Sequence, residues 1–182
     1  MVYFLTRFGS LMRNFIACLS AGVLLASAGG AAQAATATTT FTVSATLLKN
    51  CTVSTATGVV FGNYTPGTGN VAANNTVAVK CTKNTAFTVA LDKGTTTGGT
   101  IAQRLMTDGA AGDTLQYNLY TTAAFTTVWG DGTGSSVTQA GTGTGMATAV
   151  NFTAFGQLPD NATNQAAPPN GYTDTITVTV TY

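Results

Sequence analysis

Apolar side chains alternate with Thr42, Ser44, Thr46 and Leu48 over a short stretch near the start of the chain. Every second residue between positions 41 and 48 is apolar, namely Phe41, Val43, Ala45 and Leu47. Side chains of a strand point alternately to its two faces, so this period predicts a strand with one apolar face. The stretch lies outside the loop that Cys51 and Cys81 could close, so the strand could pair within its own domain or with another molecule.

Strand patterns recur along the rest of the chain and are separated by turn residues. They cover residues 59–61, 77–81, 87–91, 115–119, 125–129 and 150–154, and the first three each have one apolar face. In the last pattern, which begins at residue 172, threonines alternate with Ile176, Val178, Val180 and Tyr182. β-Branched residues on both faces favour an extended strand. No stretch after residue 34 shows a helical period with caps, so the sequence predicts an all-β fold that suggests a sandwich.

The first 34 residues have the features of a secretory signal peptide. Arg7 and Arg13 precede an apolar run over residues 15–25, and small residues at 32–34 offer an A-x-A cleavage site. We therefore predict export, with cleavage near Ala34. The apolar run is shorter than the roughly 20 residues of a membrane span, and no later segment is predicted to cross a bilayer. Cys18 lies inside the run and leaves with the signal.

Removal of the signal would leave one domain with a sizeable core. Charged residues make up only 7% of the chain, against roughly 25% in ordinary soluble proteins. After residue 34 five basic side chains face six acidic ones, which leaves no basic patch for nucleic acid. Such a surface repels its own copies weakly and suits a protein that packs side by side with them.

Two cysteines remain after the predicted cleavage, Cys51 and Cys81. An exported protein meets an oxidising compartment, where such a pair normally closes, so we predict a disulfide between them. The chain-entropy relation gives about 3.7 kcal/mol of stabilisation for a loop of this length. A zinc site is the rival interpretation, but two cysteines without His or Glu cannot supply four ligands.

The sequence contains few side chains suited to catalysis or to metal binding. The chain has neither His nor Glu, so a Ser-His-Asp triad or a Cys-His pair cannot form. Most aspartates stand in Gly-rich turns, where Asp is expected for its backbone hydrogen bonds. Asp108 and Asp113 could hold a weak Ca²⁺ ion, but they lack the regular oxygen spacing of a calcium loop. We predict no enzyme activity, no cofactor and no metal site.

Eight short motifs follow one another in an order that resembles the spore coat protein U domain. They are CTV at 51–53, FGNY at 61–64, VKCT at 79–82, RLM at 104–106, LQYNLY at 115–120, WG at 129–130, FGQLP at 155–159 and GYTDT at 171–175. The resemblance covers residues 41–182. Each motif is short, and their shared order carries the specificity.

The resemblance implies an immunoglobulin-like sandwich that is incomplete in the monomer and is completed by a donor strand. It divides the chain into a signal peptide (1–34), an N-terminal donor strand segment (35–48) and a spore coat U or pilin domain (49–182). The donor side chains would be Phe41, Val43, Ala45 and Leu47. The acceptor groove would be partly lined by Ile176, Val178, Val180 and Tyr182.

The same family includes pilin subunits of archaic chaperone-usher systems, which implies partners and a location. A periplasmic chaperone would fill the groove during export, and at the outer-membrane usher the donor segment of the next subunit would replace it. The expected partners are copies of the chain or related pilins, the chaperone and the usher. The expected role is a structural subunit of surface pili that supports adhesion and biofilm formation.

Two alternatives stay open at this stage. The chain could be a spore coat protein, since the family name also covers such proteins. It could also be a secreted module that binds a surface or a sugar without polymerising, through the aromatic residues Trp129, Tyr64, Tyr117 and Tyr120.

Overall fold

The computed structural model describes residues 33–55, 57–109 and 112–182. The predicted signal peptide lies outside the described residues except for its last two positions. The chain divides into two units, Met1–Ser44 and Ala45–Tyr182. Every strand among the described residues belongs to the second unit.

Eight strands and one short helix form the described part of the second unit. In chain order they are β1 (Cys51–Thr55), β2 (Val71–Cys81), β3 (Ala86–Leu91), β4 (Arg104–Thr107), β5 (Thr114–Tyr120), β6 (Gln139–Thr142), β7 (Val150–Leu158), α1 (Ala162–Gln165) and β8 (Val178–Thr181). The helix is a single turn that Asn161 caps by accepting a hydrogen bond from the Asn164 amide. The predicted all-β class is confirmed.

The strands form two antiparallel sheets. The larger sheet has the order β1-β2-β7-β5-β4, and the smaller has the order β6-β3-β8. Strands that are far apart in the sequence are neighbours in the sheets, since β2 pairs with β7 and β3 pairs with β8. The register of β3 and β8 places Leu91 opposite Val178.

The hydrophobic core lies between the two sheets and explains their alternating sequence. Val77 and Val79 of β2 face Phe87 and Val89 of β3 in one buried cluster. Phe87 also meets Phe152 of β7 edge to face, with 6.0 Å between the ring centroids. Because both sheets contribute to one core, the two layers form a sandwich.

Within the described residues, the patterns at 41–48, 59–61 and 125–129 form no strand, and the three strands β1, β4 and β6 were not predicted. Val59 and Phe61 are half-buried while Val60 is exposed, yet none of the three belongs to a strand. Alternating burial requires only a core to pack on, whereas a strand also requires a hydrogen-bonded neighbour. The pattern at 125–129 likewise yields isolated bridges alone. Conversely, β6 lies in a stretch rich in Gly and Thr, where apolar and polar residues do not alternate.

The predicted disulfide between Cys51 and Cys81 is present. The two residues also pair directly as the first register pair of β1 and β2. Thr82 donates a backbone hydrogen bond to the Asn50 carbonyl at 2.9 Å, which extends the pairing just beyond the disulfide. The covalent bond thus fixes an edge strand whose side chains are mostly exposed.

Removing this disulfide is expected to lower the free energy of unfolding by about 3.7 kcal/mol. The double variant Cys51→Ser/Cys81→Ser tests this by urea denaturation with and without reductant. With reductant, the urea midpoint of the unaltered chain should fall to that of the variant. The midpoint of the variant should be the same with and without reductant. An unaltered chain that keeps its midpoint with both thiols titrated as free would contradict the prediction.

Candidate functional site

One edge of the smaller sheet is open and lies beside an apolar cavity. Among the described residues β8 pairs with β3 alone, so no strand is hydrogen-bonded to its other edge. The cavity has a volume of about 1060 Å³ and lies within the second unit. Its apolar lining includes Val59, Phe61, Leu91, Leu119, Ile176 and Val178. We call this cavity the groove.

The segment 57–62 forms one wall of the groove, although it is not a strand. Val59 and Phe61 point inward and pack on the core, while Val60 is 73% exposed. Their approach depends on Gly156 of β7, where an added Cβ would lie 2.6 Å from Val59 Cγ1 and 3.0 Å from Phe61 Cζ. Gly156 therefore makes room for the wall.

Gly156→Ala is expected to displace this wall and to cost about 1–3 kcal/mol of stability, because the added methyl overlaps Val59 and Phe61. Urea denaturation measures the cost. Gly58→Ala is the matched control, since a Cβ there meets nothing within 4 Å, and it should stay within about 0.5 kcal/mol. Equal midpoints for the two variants would show that the wall does not need the glycine.

The opposite wall comes from β8 and the residues before it. Ile176 and Val178 line the groove. Val180 is half-buried and packs against the core, but it does not line the groove. Tyr182 is 52% exposed and borders a separate shallow depression that includes Phe87. The structure thus brings two of the four predicted acceptor residues to the groove, and the acceptor role itself remains a prediction.

A carboxylate is held at the rim of the groove beside Tyr117. Asp174 accepts hydrogen bonds from the Tyr117 hydroxyl at 2.6 Å and from the amide and hydroxyl of Thr96, both at 3.0 Å. Burial raises the pKa of Asp174, but these hydrogen bonds outweigh it and hold the pKa below its usual value. Burial, and then the bond to Asp174, raise the pKa of Tyr117. The pair ties the residues before β8 to β5.

A second carboxylate orders the loop before β2. Asp160 accepts from the Tyr64 hydroxyl at 2.6 Å and from the amides of Gly67 at 3.0 Å and Gly69 at 2.7 Å. The bond from Tyr64, followed by those from the two amides, lowers the pKa of Asp160. Burial and the bond to Asp160 raise the pKa of Tyr64 to about 12. Both groups therefore keep their charge states at neutral pH.

The buried side chain of Arg104 joins several strands near the groove. Arg104 is fully buried and donates to the Asn118 side-chain oxygen at 2.6 Å. It also donates to the carbonyl of Trp129 at 2.9 Å and to that of Asp92 at 2.9 Å. Burial lowers the pKa of Arg104, and Tyr117 and then Asp92 oppose that shift. The guanidinium links β4, β5 and the end of β3 through neutral acceptors.

The sequence interpretation missed Arg104, Asp160 and Gly156 as structural residues. Arg104 and Gly156 stand inside motifs used for the resemblance, RLM and FGQLP, and Asp160 follows the latter directly. The isolated Arg in a chain with so few charges was the available signal, because a charge next to apolar residues is usually there to pair with something buried.

The predicted donor residues are exposed and lie in no helix or strand. The exposed fraction is 86% for Phe41, 83% for Val43 and 86% for Leu47, and Ala45 is exposed as well. Residues 33–50 contain no element of secondary structure. The segment therefore leaves three large apolar side chains in water, which is costly unless something else covers them.

Comparison with known families identifies the chain. The signature of the Spore Coat Protein U domain matches residues 37–179. The chain belongs to this family. No curated protein matches the sequence.

A solved structure shares the fold of this spore coat protein U domain. It comes from the crystal structure of the CsuC-CsuE chaperone-tip adhesion subunit pre-assembly complex of archaic chaperone-usher Csu pili from Acinetobacter baumannii. The match has a TM-score of 0.52 and 23% sequence identity, and it covers 75% of the present chain. The chain spans 40% of the length of that structure. The likeness supports an immunoglobulin-like sandwich.

The four aromatic residues on which a sugar-binding or surface-binding role would depend are largely internal. Trp129 is fully buried and donates its indole N–H to the Val89 carbonyl at 3.0 Å. Tyr117 is 6% exposed, and Tyr64 and Tyr120 are half-buried. Stacking on a sugar requires an open ring face, so these four residues make a poor binding platform.

Asp108, one of the two aspartates that could have held a weak Ca²⁺ ion, has hydrogen-bond partners within the domain. The carboxylate oxygens of Asp108 accept from the Gly112 amide at 3.0 Å and from the Asn170 side chain at 3.1 Å. These bonds hold the β4–β5 turn against the residues before β8.

Within the described residues, no helix is long and apolar enough to cross a membrane.

Proposed function

We propose that the protein is a structural subunit of a surface pilus that chaperone and usher assemble through donor-strand complementation. The N-terminal segment 35–48 of one subunit fills the groove of the next. The role is structural rather than enzymatic. The observation that carries the proposal is that one chain has both an open apolar groove and an exposed segment whose apolar side chains repeat every second residue.

The chemistry of the segment fits that of the groove. A strand placed along the open edge of β8 would satisfy its unpaired backbone groups. Its apolar face would bury Phe41, Val43 and Leu47, each contributing about 1.5–3 kcal/mol before the segment is ordered. Ala45 falls between the larger side chains and needs less depth. Threonine and serine on the other face would remain in water.

The two ends of the domain differ in a way that favours a fibre. Cys51 pairs with Cys81 at one end of β2, and Leu158, which lines the groove, pairs with Val71 at the other. Ten strand steps of about 3.3 Å separate these ends by about 33 Å. We call them the cysteine end and the groove end. A segment that leaves from the cysteine end and binds at a groove end makes a head-to-tail contact, which generates an open filament.

Other partners follow from the family and from the structural neighbour. The neighbour is part of a chaperone-subunit complex of an archaic chaperone-usher pilus. We infer that a periplasmic chaperone covers the groove of this chain before assembly and that an outer-membrane usher supports the exchange. Copies of the chain or related pilins would donate the segment. Export through the periplasm, a place on the cell surface and a role in adhesion and biofilm formation complete the proposal.

Negative-stain electron microscopy of material sheared from the source cells tests the proposal directly. An antibody against residues 35–182 should label thin fibres along their length. Chain found only as a soluble monomer would overturn the proposal and favour a spore coat or a secreted surface-binding module.

A further inference from the structure

The charged side chains of the domain are sorted between its two ends. Lys49, Lys80 and Lys83 lie at the cysteine end and are all exposed. Lys80 precedes Cys81 in β2, and Lys49 precedes the Asn50 carbonyl that bonds to Thr82. No aspartate neighbours them in the sequence, since the first aspartate of the chain is Asp92. The cysteine end is therefore basic.

The groove end carries most of the aspartates. Asp174 and the Tyr64-bound Asp160 stand at the groove, and the β4–β5 turn brings Asp108 and Asp113 beside them. The turn is anchored there because Thr107 exchanges backbone hydrogen bonds of 2.9 Å with the residue before Asp174. Asp108 also binds Asn170 of the loop that lines the groove.

Two cations share the groove end without cancelling its charge. Arg104 is buried and bonded to neutral acceptors. Lys93 is exposed and follows Asp92 directly after β3. Four aspartates at the groove end, namely Asp108, Asp113, Asp160 and Asp174, with Asp92 nearby, outnumber these two cations. The groove end is therefore acidic.

The linker between the donor segment and its domain is short. Only Lys49 and Asn50 separate Leu48 from Cys51, which allows about 10 Å of extended chain. A donor that runs antiparallel to β8, so that its Leu48 end leaves the groove beside Val178, would hold the cysteine end of its own domain close to the groove end of its neighbour. The Debye length at physiological salt is about 8 Å, so charges held at this separation still interact.

We propose that an electrostatic junction joins successive subunits, in which the basic cysteine end of one copy meets the acidic groove end of the next. The partner is a second copy of this chain, and Lys80 and Lys83 face Asp113 and its neighbours across the junction. The inference rests on the proposed donor-strand assembly and goes beyond it, because it assigns a surface outside the groove. Opposite charges at the two ends speed correct docking and oppose contact between two like ends.

Fibre growth from the purified chain 35–182, with its disulfide intact, tests the junction. Growth is followed by light scattering at about 20 mM and about 500 mM NaCl, and fibres are verified by electron microscopy. Lys83→Glu and Asp113→Lys should each slow growth by about tenfold at low salt. The difference from the unaltered chain should shrink at high salt, and combining the two changes should restore most of the lost rate.

Lys93→Glu is the matched control for Lys83→Glu. It makes the same change in net charge at another exposed lysine, but at the groove end. Growth of the control should be no slower than that of the unaltered chain. Equal slowing by both lysine variants, or fibre growth insensitive to salt in every variant, overturns the junction and leaves donor-strand assembly in place. Failure of the unaltered chain to form any fibre overturns both.

Discussion

Val43→Asp stops fibre formation while leaving export of the chain intact. In the donor segment this side chain would enter the groove, where a carboxylate finds no partner and its burial costs several kcal/mol. The variant should fold normally, because Val43 is 83% exposed in the described chain. Electron microscopy of sheared material and immunoblotting of the periplasmic fraction measure the two outcomes separately.

Ser44→Asp provides the matched control for this prediction. It adds the same charge one position along the chain, on the face that would point to solvent in a bound strand. Fibres should form with Ser44→Asp at close to the normal yield. Normal fibres with Val43→Asp would rule out donation by this segment in the proposed register.

Arg104→Met lowers the free energy of unfolding by more than about 4 kcal/mol. Methionine nearly fills the volume of the arginine stem but donates no hydrogen bond. The carbonyls of Asp92 and Trp129 would lose this donor, and unsatisfied buried acceptors cost about 1–3 kcal/mol each. The Asn118 side-chain oxygen would also lose the bond from Arg104 but would keep the one from the Leu119 amide. Urea denaturation of the purified chain gives the value.

Lys93→Met separates this effect from a simple loss of charge. Lys93 is exposed and lies near the same end of the domain, so its replacement should change stability by less than about 0.5 kcal/mol. A similar small change for Arg104→Met would mean that water or a rearranged Asn118 satisfies the freed acceptors.

The alternation of apolar residues was sufficient to predict much of the fold. It predicted the all-β class, and it predicted which side chains of β2 and β3 enter the core, as with Val79 and Val89. Burial on one face of a strand leaves a direct mark on the sequence. The disulfide was predictable for a different reason, since only two cysteines remain after the predicted signal.

The parts that escaped prediction depend on which strands meet. Val59 and Phe61 have the pattern of a strand but lack a neighbour to pair with, which a local pattern cannot reveal. The hydrogen bonds of Arg104 to Asp92, Asn118 and Trp129 join residues far apart in the sequence. Gly156 is needed only because another segment packs against it. The role of residues 41–48 depends on a second molecule, so no feature of one chain alone decides it.

The disulfide has a mechanical consequence in a fibre under tension. Pulling on a donor segment transmits load into its own domain at Cys51, the first residue of an exposed edge strand. Without a crosslink, that load would peel β1 from β2 one hydrogen-bonded pair at a time. Because Cys51 is joined covalently to Cys81, force passes directly into the end of the eleven-residue strand β2, which pairs with β7 over residues 71–79. Under tension, such a fibre should therefore break where the donor strand is held non-covalently in the groove, and not at the edge strand β1 of the subunit.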